Sequence, residues 1–349
     1  MKRVAIVGAT GVAGQQFLVA LDRHPWFEVV RLAASERSAG KRYAEAIRDA
    51  SSGAQRWWCV EPPPPAMLEL PVHNADGLDL DGVDIVFSAV EADAARLLEP
   101  QYAKSTAVLS TASAFRYEDD TPLMVPGVNF EHAAMIDVQR RRRGWRGFVV
   151  PQPNCTALAL VITLKPLADR FGIQKVFLTS MQGVSGAGLS PGVTALAILD
   201  NVIPYIPGEE EKVERETGKI LGTTFPVSAT CTRAAVTDAH TETVTVSLGN
   251  AATAADVARA FRDFGREVAA LGLPSAPRRF ITVHDDPFRP QPRLDRDADG
   301  GMTTSVGRIR EDPALEHGMK YVLVSHNTKM GAAKGAVLSA EYLVTAGYI

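Results

Sequence analysis

The stretch Val4-Ala5-Ile6-Val7-Gly8-Ala9-Thr10-Gly11-Val12-Ala13-Gly14 decides the fold of this chain. Its first four residues are apolar and predict a buried parallel strand. Three glycines follow with the spacing G-x-x-G-x-x-G, and a helix is predicted over 15–22. Such glycines permit a tight turn and let backbone N–H groups approach a pyrophosphate at the helix N-terminus. We interpret the stretch as a dinucleotide-binding unit; the competing interpretation is a tight turn that binds nothing.

Outward from this stretch, the chain alternates strands with helices. Buried strands are predicted at 28–34, 83–90 and 107–109, with a helix over 94–102. This alternation is typical of an α/β fold with a Rossmann-like, doubly wound parallel sheet. After Pro153 the predicted elements are strands at 173–181, 229–236, 241–248 and 321–325, a helix over 253–271, and an Ala-rich helix to Leu343.

The end of the second predicted strand indicates which dinucleotide binds. NAD-binding units place a lone acidic residue there to hold the ribose hydroxyls. This chain has Ser35-Glu36-Arg37-Ser38-Ala39-Gly40-Lys41 instead. Arg37 with Ser35 or Ser38 offers a charge and a hydroxyl to a 2′-phosphate, although Glu36 opposes this. The segment favours NADP, and the alternative is a solvated surface turn.

Pro153-Asn154-Cys155 precedes an apolar segment without a breaker until Pro166. Asn is a good helix cap, so Cys155 is predicted in the first helical turn. Unpaired N–H groups and the helix dipole favour a thiolate there, and a thiolate is the better nucleophile. The alternative is a buried structural cysteine. His240, which a predicted strand delivers, is a plausible general base for such a cysteine.

Composition excludes several classes of protein. The chain has 349 residues and a formal net charge of -3, which argues against a nucleic-acid partner. The basic run 140–143 is interpreted as a solvated helix end. Three unpaired cysteines fit a reducing, cytoplasmic compartment and give no zinc motif. No apolar run approaches the length that spans a membrane, and no metal site is predicted.

Several motifs together resemble one family over essentially the whole chain: aspartate-semialdehyde dehydrogenase of the archaeal and fungal branch. The motifs that carry the resemblance are the Gly8–Gly14 loop, Ser35–Lys41, Pro153-Asn154-Cys155, Gln182-Gly183-Val184-Ser185-Gly186-Ala187-Gly188, Asp200–Ile206, Glu209-Glu210-Glu211-Lys212 and Arg233–His240. Two positions depart from the family pattern. Pro153 stands where serine is frequent, and Ala239 stands where glycine is usual.

The resemblance implies a role for each matching residue. Cys155 is the nucleophile, Gln182 orients the acyl-thioester, and His240 is the general acid/base. Arg233 binds the substrate α-carboxylate and Glu209 its amino group. Arg116 and Lys212 bind phosphate; from the residues alone, Arg116 is an ordinary surface arginine or an anion holder. The cofactor contacts implied are Thr10, Gly11, Val12, Ala13, Arg37, Ser38, Ser185, Gly186 and Asn327.

The resemblance also implies the organisation and the reaction. We expect an NADP-binding domain over 1–152, completed by a helix within 328–349, and a catalytic and dimerisation domain over 153–327. The expected reaction is the reductive dephosphorylation of L-4-aspartyl phosphate to L-aspartate 4-semialdehyde, in lysine, threonine and methionine synthesis, by a homodimer or homotetramer. Two alternatives stay open: a malonyl-CoA reductase with the same thioester chemistry, and a non-catalytic NADP-binding sensor.

Overall fold

The computed structural model describes residues 1–189 and 192–349. Its strands are β1 (Lys2–Val7), β2 (Phe27–Ala34), β3 (Val72–Asn74), β4 (Ile85–Ser88), β5 (Ala107–Ser110), β6 (Phe148–Pro151), β7 (Ile173–Gln182), β8 (Val227–Arg233), β9 (His240–Leu248), β10 (Ile281–Val283), β11 (Thr304–Asp312) and β12 (Gly318–Ser325).

Its helices are α1 (Val12–Leu21), α2 (Tyr43–Ala46), α3 (Pro65–Leu68), α4 (Ala92–Ala103), α5 (Met135–Arg143), α6 (Cys155–Phe171), α7 (Ala195–Ile198), α8 (Glu209–Leu221), α9 (Ala254–Asp263), α10 (Arg266–Ala269), α11 (Pro292–Asp295) and α12 (Lys334–Thr345). A π-helical turn, Lys329–Ala333, precedes α12. None of the helices in the two described ranges has the length and apolar character needed to cross a bilayer.

The chain forms two compact units, and each has a six-stranded sheet. The first unit comprises Met1–Met124, Glu131–Gln152 and Ala332–Ile349. The second comprises Val125–Phe130 and Pro153–Gly331. The short segment Val125–Phe130 therefore belongs with the second unit although the first surrounds it in sequence.

The sheet of the first unit is parallel throughout and has the strand order β3-β2-β1-β4-β5-β6. This is the order of the doubly wound dinucleotide-binding fold, in which ligands bind where the strand order reverses. That point lies at the carboxyl ends of β1 and β4. The four apolar residues of β1, Val4 to Val7, are fully buried, as their sequence predicts. The predicted doubly wound sheet is confirmed.

The sheet of the second unit is mixed, with the order β10-β11-β12-β9-β7-β8. β7 pairs with β8 in parallel and with β9 antiparallel. The parallel pairing aligns the carboxyl ends of β7 and β8, and the antiparallel pairing brings the start of β9 beside them. Three strand termini that are distant in sequence thereby meet at one edge of the sheet.

One predicted helix was wrong in extent. The segment 253–271 is two helices, α9 and α10, because the chain turns at Gly265. Gly265 has φ +79°, and a β-carbon there would lie 2.5 Å from Phe280 Cδ2. The break depends on this close approach, which helical periodicity does not encode. Smaller boundaries also differ: α1 begins at Val12 rather than 15, the strand predicted at 83–90 is confined to Ile85–Ser88, and the strand predicted at 229–236 is Val227–Arg233.

Candidate active site

Asn154 caps α6 and so fixes the position of Cys155. Its Oδ1 accepts hydrogen bonds from the backbone N–H groups of Thr156 and Ala157, both at 3.0 Å. Its own backbone N–H donates to Glu216 Oε2 at 2.6 Å. Cys155 is consequently the first helical residue, partly exposed, at the positive end of a 17-residue helix. This environment favours the thiolate.

Three of the predicted site residues form one cross-strand row in the second sheet. Gln182 on β7 is the register partner of Arg233 on β8 and of His240 on β9. The side chains of all three are buried. Partners on the same face of neighbouring strands have β-carbons about 5 Å apart, so sheet register brings these groups together. We call Arg233, Gln182 and His240 the catalytic row.

His240 lies between the Cys155 sulfur and a backbone amide. Its Nε2 is 3.0 Å from Cys155 Sγ, and its Nδ1 accepts a hydrogen bond from Gly183 N–H at 3.1 Å. An Nδ1 that accepts carries no proton, so the neutral ring carries its proton on Nε2, facing the sulfur. Burial lowers the pKa of His240 to about 4, with a further contribution from the charge of Arg233. The neutral ring therefore presents a donor to a sulfur anion or to an oxyanion beside it.

Glu209, the first residue of α8, is a buried carboxylate with three partners. Its Oε1 accepts from Asn154 Nδ2 at 2.8 Å and from Gln182 Nε2 at 3.2 Å. Its Oε2 lies 3.6 Å from Lys212 Nζ. Burial raises the pKa of Glu209, but the Asn154 hydrogen bond and the charge of Lys212 outweigh it, so the net pKa is lowered. Glu209 therefore carries a negative charge at neutral pH.

Arg233 supplies a buried cation at the other end of the catalytic row. Its Nη1 donates to Gly183 O at 2.8 Å. Burial lowers the pKa of this guanidinium, and the neighbouring Cys155 and Glu209 partly restore it. Gly186 lies directly against the pair, since a β-carbon there would be 3.0 Å from Arg233 Nη1 and 3.4 Å from His240 Cε1. A guanidinium, a thiol and an imidazole thus line one small polar site.

Asn327, a predicted cofactor contact, joins Ser185, another predicted contact, to the residue that precedes His240. Its Oδ1 accepts from Ala239 N–H at 2.8 Å and its Nδ2 donates to Ser185 Oγ at 2.9 Å. Ala239 adopts φ +85°, a left-handed conformation that favours glycine. The alanine is accommodated without displacing His240, whose bonds to Cys155 and Gly183 are both present. Pro153, the other departure, is buried and leaves the Asn154 cap intact.

The first unit contains the remaining predicted residues. Thr10 and Gly11 end the turn before α1, with Gly11 as the N-cap, and Val12 and Ala13 are the first residues of α1. β-Carbons at Gly8 and Gly14 would overlap Ala89 O and Gly8 O respectively, so these glycines allow the close backbone packing of the turn. The partly exposed turn therefore has the narrow backbone cradle that a pyrophosphate requires.

Arg37 and Ser38 lie in the turn after β2. Arg37 is exposed and Ser38 is buried. Lys41 Nζ donates to Arg37 O at 2.9 Å, which brings a second cation to this turn. Arg116 follows β5; its side chain is buried, not an exposed surface arginine, and its Nη2 donates to Thr111 O at 3.3 Å.

Sequence reasoning missed three polar side chains in the second unit. Glu216 accepts from Asn154 N–H, and Ser180 Oγ accepts from Gln182 Nε2 at 3.2 Å. Glu242 is fully buried two residues after His240. Alternation along β7 and β9 places Ser180 and Glu242 on the same face as Gln182 and His240, and this is the signal that would have found them.

Among residues 1–189 and 192–349, no group of three or more His, Cys, Asp or Glu side chains is arranged to hold a metal ion. The candidate site therefore consists of Cys155, the catalytic row and Glu209, with Asn327 at its border.

Two family models match the chain. "Semialdehyde dehydrogenase, NAD binding domain" matches residues 3–136, and "Semialdehyde dehydrogenase, dimerisation domain" matches residues 164–330. The aspartate-semialdehyde dehydrogenase of Methanothermobacter thermautotrophicus is 46% identical, with 98% of this chain and 99% of that protein covered. The Saccharomyces cerevisiae protein of the same name is 41% identical, with 100% and 99% covered.

The chain is also similar to solved structures of proteins with this name. Aspartate-semialdehyde dehydrogenase from Candida albicans, crystallised with NADP, superposes with a TM-score of 0.88 at 39% identity and 100% coverage of both chains. Aspartate-semialdehyde dehydrogenase II from Vibrio cholerae, complexed with ASA, superposes with a TM-score of 0.78 at 28% identity, covering 99% of this chain and 98% of that one.

Proposed function

The chain belongs to the aspartate-semialdehyde dehydrogenase family, and from this premise we propose how its residues convert L-4-aspartyl phosphate to L-aspartate 4-semialdehyde. The protein is an NADP-dependent oxidoreductase of amino-acid biosynthesis. The observation that carries the proposed mechanism is the 3.0 Å contact between Cys155 Sγ and His240 Nε2 at the start of α6.

Cys155 is the proposed nucleophile. Its thiolate attacks the acyl-phosphate carbonyl carbon; a C–S bond forms, the C–O bond to phosphate breaks, and a thioester remains on the sulfur. Bound NADPH supplies the hydride that reduces this thioester. The resulting oxyanion re-forms a carbonyl, expels the Cys155 thiolate and releases the aldehyde. The proton required overall is taken up by the departing phosphate.

His240 stabilises the charges that develop in these steps. Because Gly183 N–H occupies Nδ1, the ring presents Nε2–H to the thiolate and, after attack, to the oxyanion on the former carbonyl. A neutral donor is suited to this task, since it remains in place while charge moves from sulfur to oxygen. Gln182 lies beside His240 in the catalytic row and orients the same intermediate.

Charge complementarity supports the proposed substrate contacts. The Arg233 guanidinium suits a carboxylate, which it binds with a planar fork. The charged Glu209 suits an ammonium group. Lys212 and Arg116 are the proposed phosphate ligands; each is a cation, and a dianion is the group that such side chains bind best.

The residues of the first unit suit NADP. The proposed pyrophosphate ligands are the backbone N–H groups of 10–13, in the cradle that Gly8 and Gly14 make possible. Arg37, Ser38 and the neighbouring Lys41 offer two cations and a hydroxyl to the 2′-phosphate. In the second unit we propose that Ser185, Gly186 and Asn327 contact the nicotinamide end, since the Asn327–Ser185 bond fixes their mutual position.

Glu209 favours the aspartyl substrate over malonyl-CoA. A malonyl group has a carboxylate for Arg233 but no amino group, so it would offer Glu209 no ammonium group to bind. A buried carboxylate whose pKa is lowered by its surroundings is suited to bind an ammonium group. The sensor alternative is disfavoured because Cys155 and His240 are already in contact.

We further propose a cytoplasmic homodimer. The three cysteines form no disulfide, which suits a reducing compartment. The second unit matches a dimerisation domain and exposes Leu196, Leu199, Val202 and Tyr205 within ten residues of one another in sequence. Exposed apolar residues concentrated in this way mark protein interfaces. A homotetramer would require a second contact surface.

The reaction is tested by absorbance of reduced nicotinamide. Purified protein receives aspartate semialdehyde, phosphate and NADP+, and a parallel sample receives malonyl-CoA and NADPH. We expect phosphate-dependent NADPH formation only in the first sample, and its loss in Cys155→Ala. Cys59→Ala is the matched control, because Cys59 forms no disulfide and lies in the first unit, outside the predicted site and cofactor-contact residues. Activity with malonyl-CoA alone would overturn the substrate, and absence of both activities would support the sensor.

A further inference from the structure

A second polar row lies next to the catalytic row on the same face of the sheet. Ser180 on β7 is the register partner of Cys231 on β8 and of Glu242 on β9. All three are fully buried. Each is two residues away from a member of the catalytic row on its own strand, and side chains two apart on a strand share a face. The Ser180 hydroxyl, which accepts from Gln182, links the two rows.

Glu242 is the unusual member of this second row. Neither of its carboxyl oxygens has a hydrogen-bond partner within residues 1–189 and 192–349. The hydroxyls of Thr156 on α6 and Thr217 on α8 are among the other buried groups without a hydrogen-bond partner in these ranges. In the same two ranges no ion pair involves Glu242. A buried ionised carboxylate without a partner is strongly disfavoured relative to the protonated acid.

The titratable groups near Glu242 add no stabilising positive charge. Glu209 on α8 is close enough for its negative charge to oppose ionisation of Glu242. Cys231 on β8 and Tyr321 on β12 are both un-ionised at neutral pH. Burial raises the pKa of Cys231 to about 12, and it also raises the pKa of Tyr321. His240, on the same strand, is neutral. Burial, followed by the charge of Glu209, raises the pKa of Glu242 well above its usual range.

Two neighbouring carboxyl groups therefore divide the roles between them. Glu209 has donors from Asn154 and Gln182 and a cation in Lys212, so it holds the negative charge. Glu242 has neither donors nor a cation among the residues that the structure describes, so it holds the proton. Like charges at close range produce such a division, in which one acid ionises and the other does not.

We propose that Glu242 is a proton-holding positioning residue of this active site, whose neutrality leaves Glu209 as the carboxylate charge in contact with the catalytic row. The proposal rests on the proposed function only for the role of Glu209 at the substrate's amino group. The protonation itself is a property of the folded chain. Ionisation of Glu242 would add a second negative charge beside Cys155, Glu209 and His240, and would disfavour the Cys155 thiolate.

Infrared spectroscopy of the full-length protein measures this proton directly. We expect the C=O stretch of a protonated carboxylic acid at neutral pH, with one component that disappears in Glu242→Gln. Glu99→Gln is the matched control, because Glu99 is a buried acid of the first unit whose pKa burial raises to about 7. We expect Glu99→Gln to remove a separate C=O component of the protonated-acid band, which titrates at about pH 7. The proposal would be overturned if Glu242→Gln lost carboxylate intensity and retained every protonated-acid band.

Coupling to Glu209 is tested with Glu242 itself intact, so this measurement stands even if Glu242→Gln fails to fold. In Glu209→Gln the opposing charge is gone, and we expect the Glu242 band to titrate at lower pH. Glu210→Gln is the control: it removes a charge from the same turn of α8, where Glu210 accepts from Cys231 N–H. Equal titration in wild type and Glu209→Gln would contradict the division of roles. A normal KM for the semialdehyde in Glu209→Gln, with the band shifted, would overturn only the amino-group assignment.

The pH profile of kcat/KM tests whether the proton matters to the site. If ionisation of Glu242 contributes to the alkaline limb of wild type, Glu242→Gln lacks that contribution, and we expect the limb to move to higher pH in the variant. A purely structural role for Glu242 would lower activity at all pH values without moving the limb. An unmoved limb would therefore overturn the positioning role.

Discussion

His240 shows how a single residue acquires its chemistry from its surroundings. Free histidine titrates near neutral pH, but this ring is buried between Cys155 and Gly183 and its pKa falls to about 4. The Gly183 N–H bond to Nδ1 requires an unprotonated nitrogen, so it opposes the imidazolium as burial does. The residue type identifies a candidate acid/base, while the hydrogen bond decides which nitrogen holds the proton.

We predict that kcat/KM remains flat as pH falls through 6.5, the ordinary value for histidine, and declines only toward pH 4. Between these values the folded protein binds fewer protons than the unfolded chain. Stability from the neutral ring is therefore present above the ordinary value and is lost as pH falls, by on the order of 3 kcal/mol.

His240→Gln has no titrating ring, so in thermal unfolding we expect a smaller stability change over the same pH range. His326, whose pKa burial also lowers to about 4, accounts for part of what remains. A half-maximal kcat/KM near pH 6.5 would contradict a buried neutral His240.

At the scale of elements, the start of α6 combines a helix cap with a binding site. Asn154 uses Oδ1 for the helix and Nδ2 for Glu209, so one side chain positions both the nucleophile and the carboxylate. The cap was predictable from sequence because the preference for Asn is local. The contact with Glu209 was not, because 55 residues separate the two.

We predict that Asn154→Ala lowers the free energy of unfolding by about 1 kcal/mol and reduces kcat. Asn154→Asp retains the cap acceptor but places a carboxylate beside Glu209, which raises the pKa of Glu209 and so raises KM for the aminated aldehyde. Thr253→Ala is the control for capping alone, since Thr253 caps α9. Denaturant unfolding and steady-state kinetics measure both effects; equal KM in Asn154→Asp and wild type would refute the Glu209 contact.

Gly265, between α9 and α10, gives a second prediction at this scale. Gly265→Ala combines left-handed strain with a clash against Phe280, and we expect a loss of roughly 2–4 kcal/mol in the free energy of unfolding. Gly272→Ala is the matched control, with φ +64° and open space around it, and is expected to lose about 1 kcal/mol. Urea unfolding measures the loss of stability in each variant. Equal losses in Gly265→Ala and Gly272→Ala would mean that the Phe280 contact has no effect.

For the whole molecule, the exposed apolar segment of the second unit predicts assembly. Leu196 is 94% exposed and Tyr205 54% exposed in the isolated chain. We predict that Leu196→Asp shifts the protein from dimer to monomer in light scattering coupled to size-exclusion chromatography. Val60→Asp, at an 82% exposed apolar residue of the first unit, is the control and leaves the dimer intact. A dimer in both variants would place the interface elsewhere.

The sequence by itself determined the features that depend on local physics. Apolar runs, glycine spacing and the Asn154 cap predicted the doubly wound sheet, the turn into α1 and the first-turn position of Cys155. These succeeded because backbone sterics, burial and capping act over a few residues. The motifs also indicated the family, whose known chemistry supplied roles for residues such as Gln182 and Glu209.

Tertiary structure decided everything that requires distant residues to meet. Strand register brings Arg233, Gln182 and His240 into one row, and no local pattern specifies that register. The Gly265 break depends on Phe280, and the charge state of Glu209 depends on Asn154, Gln182 and Lys212. Glu242 is the clearest case: in sequence it is one polar residue in an alternating strand, and its burial with no hydrogen-bond partner in the described part of the chain makes it a proton-holding acid.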